Sequence, residues 1–258
     1  MVNQLLPFGA GYAAALPSAN CLLHTAFCRL TMNTFAAIFP AAGRSVRYGT
    51  GRSKLLEELN GKTVLRRAVE AFTCREDVSA IVIAAPADDV SILSKALGDV
   101  SNDPRVKFCT GGACRAESVR NGLRQVPAEV EWVAVHDAAR PLVSQELITR
   151  TLDAARKHGA AVPAMPVALT IKQAVGPLPA KVQRTVPRHE LWAMQTPQIM
   201  ARADLLAAFE SCPIPLDQIT DDAQVLELVG KPVYLVAGEE RNLKITTPSD
   251  LQVAAMLL

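Results

Sequence analysis

Ala41-Ala42-Gly43 follow an apolar run that ends at Pro40, and Arg44, Arg47 and Lys54 come next, with Gly49 and Gly51 between the last two. A turn of small residues lets backbone N–H groups approach phosphate oxygens, and spaced cations offset the oxygens' charge. A planar base or a triphosphate can lie against the uncovered backbone of 41–43. Arg47 and Lys54 sit on one glycine-containing connection, so both can curl over the same anion. The plainer alternative is a tight turn beside surface cations. The position directly after the first buried strand favours the chemical reading, a nucleotide-handling enzyme.

Three further stretches carry groups of the same kind. Trp132-Val133-Ala134-Val135 leads into His136-Asp137-Ala138-Ala139-Arg140, so a buried strand delivers an acid at its carboxyl end. Asp137 can hold Mg²⁺ or a sugar hydroxyl there, or serve as a helix cap or a partner for Arg140. His136 points the other way and reads as a structural histidine. Gly111-Gly112 ends a strand and opens a helix at Arg115, a backbone-donor site for a base edge or phosphate, with Arg115 and Ser118 on one face of the first turn. Downstream, Arg188 and Lys244 flank Gln195-Thr196-Pro197-Gln198 and Ile219-Thr220-Asp221-Asp222, and can clamp a second phosphate. The side chains are expected to converge on a single cationic basin, although each charge taken alone also reads as a solvated surface group.

The elements that must position these groups alternate. Apolar runs at 34–39, 79–85, 105–109, 131–136, 160–165 and 232–237 predict strands, several of them continuously apolar as in a sheet buried on both faces. Amphipathic stretches at 62–73, 87–97, 115–125, 144–158, 201–210, 220–229 and 248–257 predict helices. Ser144 and Thr247-Pro248 are N-terminal signals. The alternation implies right-handed crossovers and a doubly wound, mostly parallel α/β sheet, with ligands at the carboxyl ends of its strands. Residues 166–190 break the rhythm with four prolines and two short β-like pieces. They predict a protruding two-stranded β-arm, turned near Gly176-Pro177, that docks on a second copy of the chain to give a homodimer.

Composition narrows the function. A net charge of +2 over 258 residues and an aromatic content of 5% point away from nucleic acid. The six cysteines show neither a C-x-x-C pair nor zinc spacing, as expected of free thiols in a cytoplasmic protein. No apolar run reaches the ~18–20 residues of a membrane span. Residues 1–31 hold one base and no acid, and read as a disordered or dispensable extension, with the folded domain covering 32–258.

Together the four stretches resemble the 2-C-methyl-D-erythritol 4-phosphate cytidylyltransferase family over residues 34–258. The most specific part is Val135-His136-Asp137-Ala138-Ala139-Arg140. The resemblance implies a Rossmann-like nucleotidyltransferase fold and transfer of CMP from CTP to the polyol phosphate, releasing pyrophosphate in non-mevalonate isoprenoid synthesis. It implies that Arg47 and Lys54 stabilise the transition state, and that Arg188 and Lys244 position the acceptor phosphate. Ala41, Ala42, Gly43, Gly112 and Ser118 match the cytidine pocket, with Arg115 nearby. Asp137 matches the acid beside metal and ribose. Arg140, Thr170 and Thr220 match acceptor contacts, with Thr170 supplied by the partner's arm. Ser45, Ser53, Ala113 and Pro187 depart from the pattern without removing a charge assigned to catalysis. Relatives acting on ribitol 5-phosphate share the nucleotide motifs. Enzymes using another base and a non-catalytic nucleotide-binding regulator are the remaining alternatives.

Overall fold

The computed structural model describes residues 34–43 and 53–258. The extension expected over 1–31, and Arg47 with its neighbour Ser45, lie outside the described residues. Thr34–Leu258 form one compact unit. Its centre is an eight-stranded mixed sheet in which β10 (Trp192–Met194), β7 (Ala160–Pro166), β11 (Gln198–Ala201), β6 (Trp132–Val135), β1 (Phe35–Pro40), β4 (Val78–Ala85) and β5 (Val106–Thr110) lie side by side, with β12 (Tyr234–Ala237) also on β7. The β6-β1-β4-β5 block and the β7-β12 pair are parallel, while β10 and β11 run antiparallel to their neighbours.

Strand alternation sorts the core into two faces. Phe35, Ala37 and Phe39 of β1 point into one apolar cluster and Ala36 and Ile38 into the other. The first face is covered by α1 (Val64–Thr73), α2 (Val90–Leu97), α4 (Gln145–His158) and α7 (Pro248–Met256). The second is covered by α3 (Arg115–Leu123), α5 (Arg202–Glu210) and α6 (Asp222–Leu228). Because both faces are buried, β1 and β4 are almost entirely apolar. In α1 the buried Val64, Leu65, Ala68, Val69 and Phe72 form the single stripe expected of a helix lying on a sheet.

The predicted helices and strands are present, with three differences. The first helix starts at Val64 rather than 62, because Asn60 and Gly61 take φ of 47° and 77° and turn a small hairpin of β2 (Glu58–Leu59) and β3 (Lys62–Thr63). Thr63 then caps the helix, accepting from the Arg66 amide at 3.1 Å. The second helix opens with a 3₁₀ turn at Ala87–Asp89. The short strands β10 and β11 were not foreseen. β10 is exposed along its length and β11 begins with a buried glutamine, so neither carries a periodic apolar signal. Ser144 and Thr247 cap α4 and α7, the latter in a full capping box with Asp250.

Within 166–190, β8 (Ile171–Ala174) and β9 (Val182–Val186) form a separate two-stranded antiparallel sheet, and Gly176 in the intervening turn has φ of 93°. Leu169, Val175 and Leu178 of this segment are exposed.

Phe72 has no solvent exposure and meets Phe39 edge-on, with ring centroids 5.3 Å apart; it also packs on Phe35 and His136. Phe72→Ala is expected to cost about 3–5 kcal/mol, read as a lower urea midpoint with an unchanged slope.

Candidate functional site

The parallel block ends in loops that meet at one edge of the sheet. After β1 comes Ala41-Ala42-Gly43, after β4 Pro86–Asp89, after β5 Gly111–Cys114, and after β6 Asp137–Ala139; all four border one cleft of about 830 Å³. This is the carboxyl edge, where parallel sheets bind ligands, and the volume suits a nucleotide-sized molecule. The Ala41 amide donates to the Ala84 carbonyl at 2.7 Å, and the Gly111 amide to the Ala85 carbonyl at 2.8 Å, so neighbouring loops leave the sheet in register. Lys54, Arg115, Ser118, Lys244 and Thr246 complete the wall.

The glycine pair is required by close approach. A Cβ on Gly111 would lie 2.5 Å from the Ala42 Cβ, and one on Gly112 would lie 2.2 Å from the Glu117 Cβ. The expected role of this loop as a backbone donor is altered by the fold. The Gly112 amide donates to the Ser118 hydroxyl at 3.0 Å and the Ala113 amide to the Glu117 carboxylate at 2.7 Å. With the Gly111 amide also used within the sheet, the first three amides of the loop are engaged, and these glycines offer a ligand their small footprint.

Asp137 is the electrostatic centre of the cleft. Its carboxylate lies 2.9 Å from Lys244 Nζ, 3.3 Å from Arg115 Nε and 3.5 Å from Arg140 Nε. Burial works against its ionisation, but Arg115, Lys244 and Arg140 together outweigh it and hold the carboxyl well below its ordinary range. Arg140 is buried, which lowers its pKa, while Asp137 opposes that shift. Its guanidinium also donates to the Asn242 carbonyl at 2.7 Å. The Ile245 amide donates to the Ala139 carbonyl at 2.9 Å, and Asn242 Nδ2 donates to the Thr196 carbonyl at 2.8 Å. These bonds fasten the 242–245 segment along the 137–140 loop and so bring Lys244 to Asp137.

His136 is a structural pin, as its position on the strand implied. Its Nε2 lies 3.0 Å from the Arg140 carbonyl, which can only accept, so the proton is on Nε2. Nδ1 therefore accepts from the Thr196 hydroxyl at 3.1 Å, and that hydroxyl accepts from the Asp137 amide at 3.0 Å. The chain of bonds closes the turn that presents Asp137.

The fold gathers Ala41, Ala42, Gly43, Lys54, Gly112, Arg115, Ser118, Asp137 and Lys244 around one cleft, with Arg140 against Asp137. Arg188, Thr170 and Thr220 do not border it. Arg188 is exposed and donates to the Ala168 carbonyl, Thr170 is exposed in the 166–190 segment, and Thr220 bonds Gln224. The basin is also not purely cationic. Asp137 and the fully buried Asp222 counter Arg115, Arg140 and Lys244. Asp222 stands in the Ile219-Thr220-Asp221-Asp222 stretch but was given no role, because acids are common at a helix start. Thr246, beside Lys244, also borders the cleft, as do Asp88 and Asp89, which have no motif of their own.

Among the described residues no three His, Cys, Asp or Glu side chains form a metal cluster. Mg²⁺ needs only one or two protein carboxylates when phosphates and waters complete its shell. Asp137, held in its ionised form on the cleft wall, is a carboxylate of that kind, shared with Lys244, Arg115 and Arg140.

An α/β sheet with small-residue loops, cations and one ionised acid at its carboxyl edge defines a nucleotidyltransferase-like protein. The family model of 2-C-methyl-D-erythritol 4-phosphate cytidylyltransferase matches residues 35–258, and the chain belongs to that family. It is therefore a cytidylyltransferase of isoprenoid precursor synthesis. The enzyme of that name from Streptomyces avermitilis is 40% identical over 230 residues, covering 86% of this chain and 91% of the relative. That of Gloeobacter violaceus is 41% identical, covering 86% and 94%. The Francisella tularensis enzyme's crystal structure superposes with a TM-score of 0.75 at 30% identity, covering 87% of this chain and all of that one.

Burial pushes the His136 pKa from its ordinary 6.5 down to about 4. Below 6.5 the unfolded chain takes up a proton that the folded chain refuses until about pH 4, so stability rises with pH across that window. His136→Gln is expected to flatten this rise, worth on the order of 3 kcal/mol, in melting temperatures measured from pH 4 to 6.5.

Proposed function

We propose that this chain joins CTP and 2-C-methyl-D-erythritol 4-phosphate by in-line displacement in the cleft described above. An oxygen of the acceptor phosphate forms a bond to the α-phosphorus of CTP. The bond from that phosphorus to the bridging oxygen breaks, and pyrophosphate leaves with the electron pair. The nucleophile is already an anion at neutral pH and needs no general base. The difficulty is bringing two anions together while charge builds on the α-phosphate, so positioning and electrostatics carry the reaction.

The observation that carries this reading is the convergence of Lys54, Arg115, Asp137 and Lys244 with the small-residue loops at one cleft. Ala41–Gly43, Gly112 and Ser118 receive the nucleoside. Lys54 faces the phosphates, and Arg47 is expected to share that role. A unit-charge pair at ~4 Å is worth on the order of 4 kcal/mol at an effective dielectric near 20, so two such cations supply a substantial part of the stabilisation. Lys244 holds the acceptor phosphate beside Arg140. Asp137, kept ionised by its three cations, would hold Mg²⁺ together with CTP oxygens; the ion would supply further charge neutralisation on the phosphates.

The acceptor side is completed in a homodimer in the cytoplasm. Thr170 and Arg188 stand outside their own chain's cleft, on a segment that exposes Leu169, Val175 and Leu178. Trp192 and Tyr234 are exposed on the nearby strands β10 and β12, which both pair with β7. An apolar surface of this kind is the mark of an interface. Docking of the hairpin on a second copy would carry Thr170 towards that copy's cleft, and Arg188 and Thr220 would then contact the acceptor.

Pyrophosphate release from the purified protein tests the substrate pair. Turnover is expected with CTP and methylerythritol phosphate, and only at background with UTP, GTP or ribitol 5-phosphate. Equal turnover with ribitol 5-phosphate overturns the acceptor assignment. By analogy with lost oxyanion donors, Lys54→Ala and Arg47→Ala should each lower kcat by roughly 10²–10³. Rates within about threefold of the unaltered enzyme for both would contradict their role.

A further inference from the structure

Asp222 is a buried carboxylate that neither the cleft nor the fold's own hydrogen bonds account for. It has no solvent exposure, its Oδ2 forms an ion pair with Arg115 Nη2 at 2.8 Å, and neither oxygen has a well-aligned hydrogen-bond donor. Burial raises its pKa, and the neighbouring Arg115 opposes that shift. An ionised group in such a place is costly unless it is well paired. It does not anchor its helix either. The Asp221 carboxylate caps α6 through the Gln224 amide at 3.0 Å. The Gln198 side chain accepts from the Asp222 and Ala223 amides at 2.9 and 3.0 Å and donates to Asp221 at 2.9 Å. The first turn is thus held by backbone amides, Asp221 and Gln198, which leaves the Asp222 carboxylate for Arg115.

Arg115 stands between two acids. Nη2 meets Asp222 from the core side, and Nε meets Asp137 at 3.3 Å on the cleft wall. Arg115 is the first residue of α3, and its long side chain has many rotamers available. Fixing one end of the planar guanidinium selects one of them. We propose that Asp222 is a positioning residue: it holds Arg115 with its Nε edge on Asp137, and so sets the nucleotide end of the cleft without touching a substrate. Lys244 and Arg140 approach Asp137 independently of Asp222, so the acceptor side does not depend on it. The assignment rests on the cytidylyl-transfer reading above, in which Asp137 and Arg115 border the nucleotide.

The test is steady-state kinetics of Asp222→Asn, Arg115→Gln and the double variant, with thermal melts beside each. In Asp222→Asn, KM for CTP is expected to rise about tenfold while KM for methylerythritol phosphate stays put. Arg115→Gln should show the same split, and the double variant should be no worse than the worse single one. A folded Asp222→Asn with unchanged KM for CTP, equal changes in both KM values, or losses that multiply in the double variant would each overturn the proposal. If Asp222→Asn melts below the assay temperature, Arg115→Gln decides, and an unchanged KM for CTP in that variant sinks it. An unaltered protein that releases no pyrophosphate from CTP fails the functional reading itself and takes this inference with it.

Discussion

The cleft is organised by one carboxylate and the cations drawn to it. Asp137 sits where β6 ends, and Arg115, Arg140 and Lys244 come to it from the helix after β5, from its own turn and from the segment before the last helix. A buried acid with three cationic neighbours stays ionised, and each neighbour is held by a charge that it also neutralises. Like charges crowded together in a cleft would repel one another and splay. With Asp137 and Asp222 among them, the cations remain close to one another on the cleft wall.

That arrangement depends on rigid surroundings. His136 and Thr196 close the turn behind Asp137 through buried hydrogen bonds, and Asn242 joins the Lys244 segment to the same strand ends. Beneath them the β6-β1-β4-β5 block is buried on both faces, and Phe35, Phe39 and Phe72 interlock with the His136 ring. Polar groups that are hydrogen-bonded inside a packed core have few alternative arrangements. The loops at the carboxyl edge inherit their precision from the sheet.

Much of the fold was legible in the residues because both faces of the sheet are covered. Burial on two sides writes continuous apolar runs into β1, β4 and β6, and burial on one side writes stripes into α1 and α4. β10 and β11 escaped notice because one is exposed and both are short, so pairing rather than composition makes them strands. The Asn60-Gly61 hairpin carried its signal in two residues, overlooked beside the stronger helical pattern that follows. In the site, the small-residue loops, Lys54 and Asp137 could be named from the residues that surround them, and Lys244 from the family resemblance. Asp222 could not, since an aspartate at a helix start has the same local pattern whether it faces water or an arginine in the core.

What the amino-acid order determined by itself was local: which segments are strands or helices, where turns of small residues interrupt them, and which charged types stand at those turns. Periodicity, capping and backbone sterics act over a few residues, so they can be read along the chain. Only the tertiary structure decided which distant charges share a cleft, that the Gly112 and Ala113 amides are already engaged, and that Arg188 and Thr170 lie outside their own chain's cleft. Electrostatic and hydrogen-bonding partners are chosen by distance in space, and that distance is set by how the sheet and its helices pack.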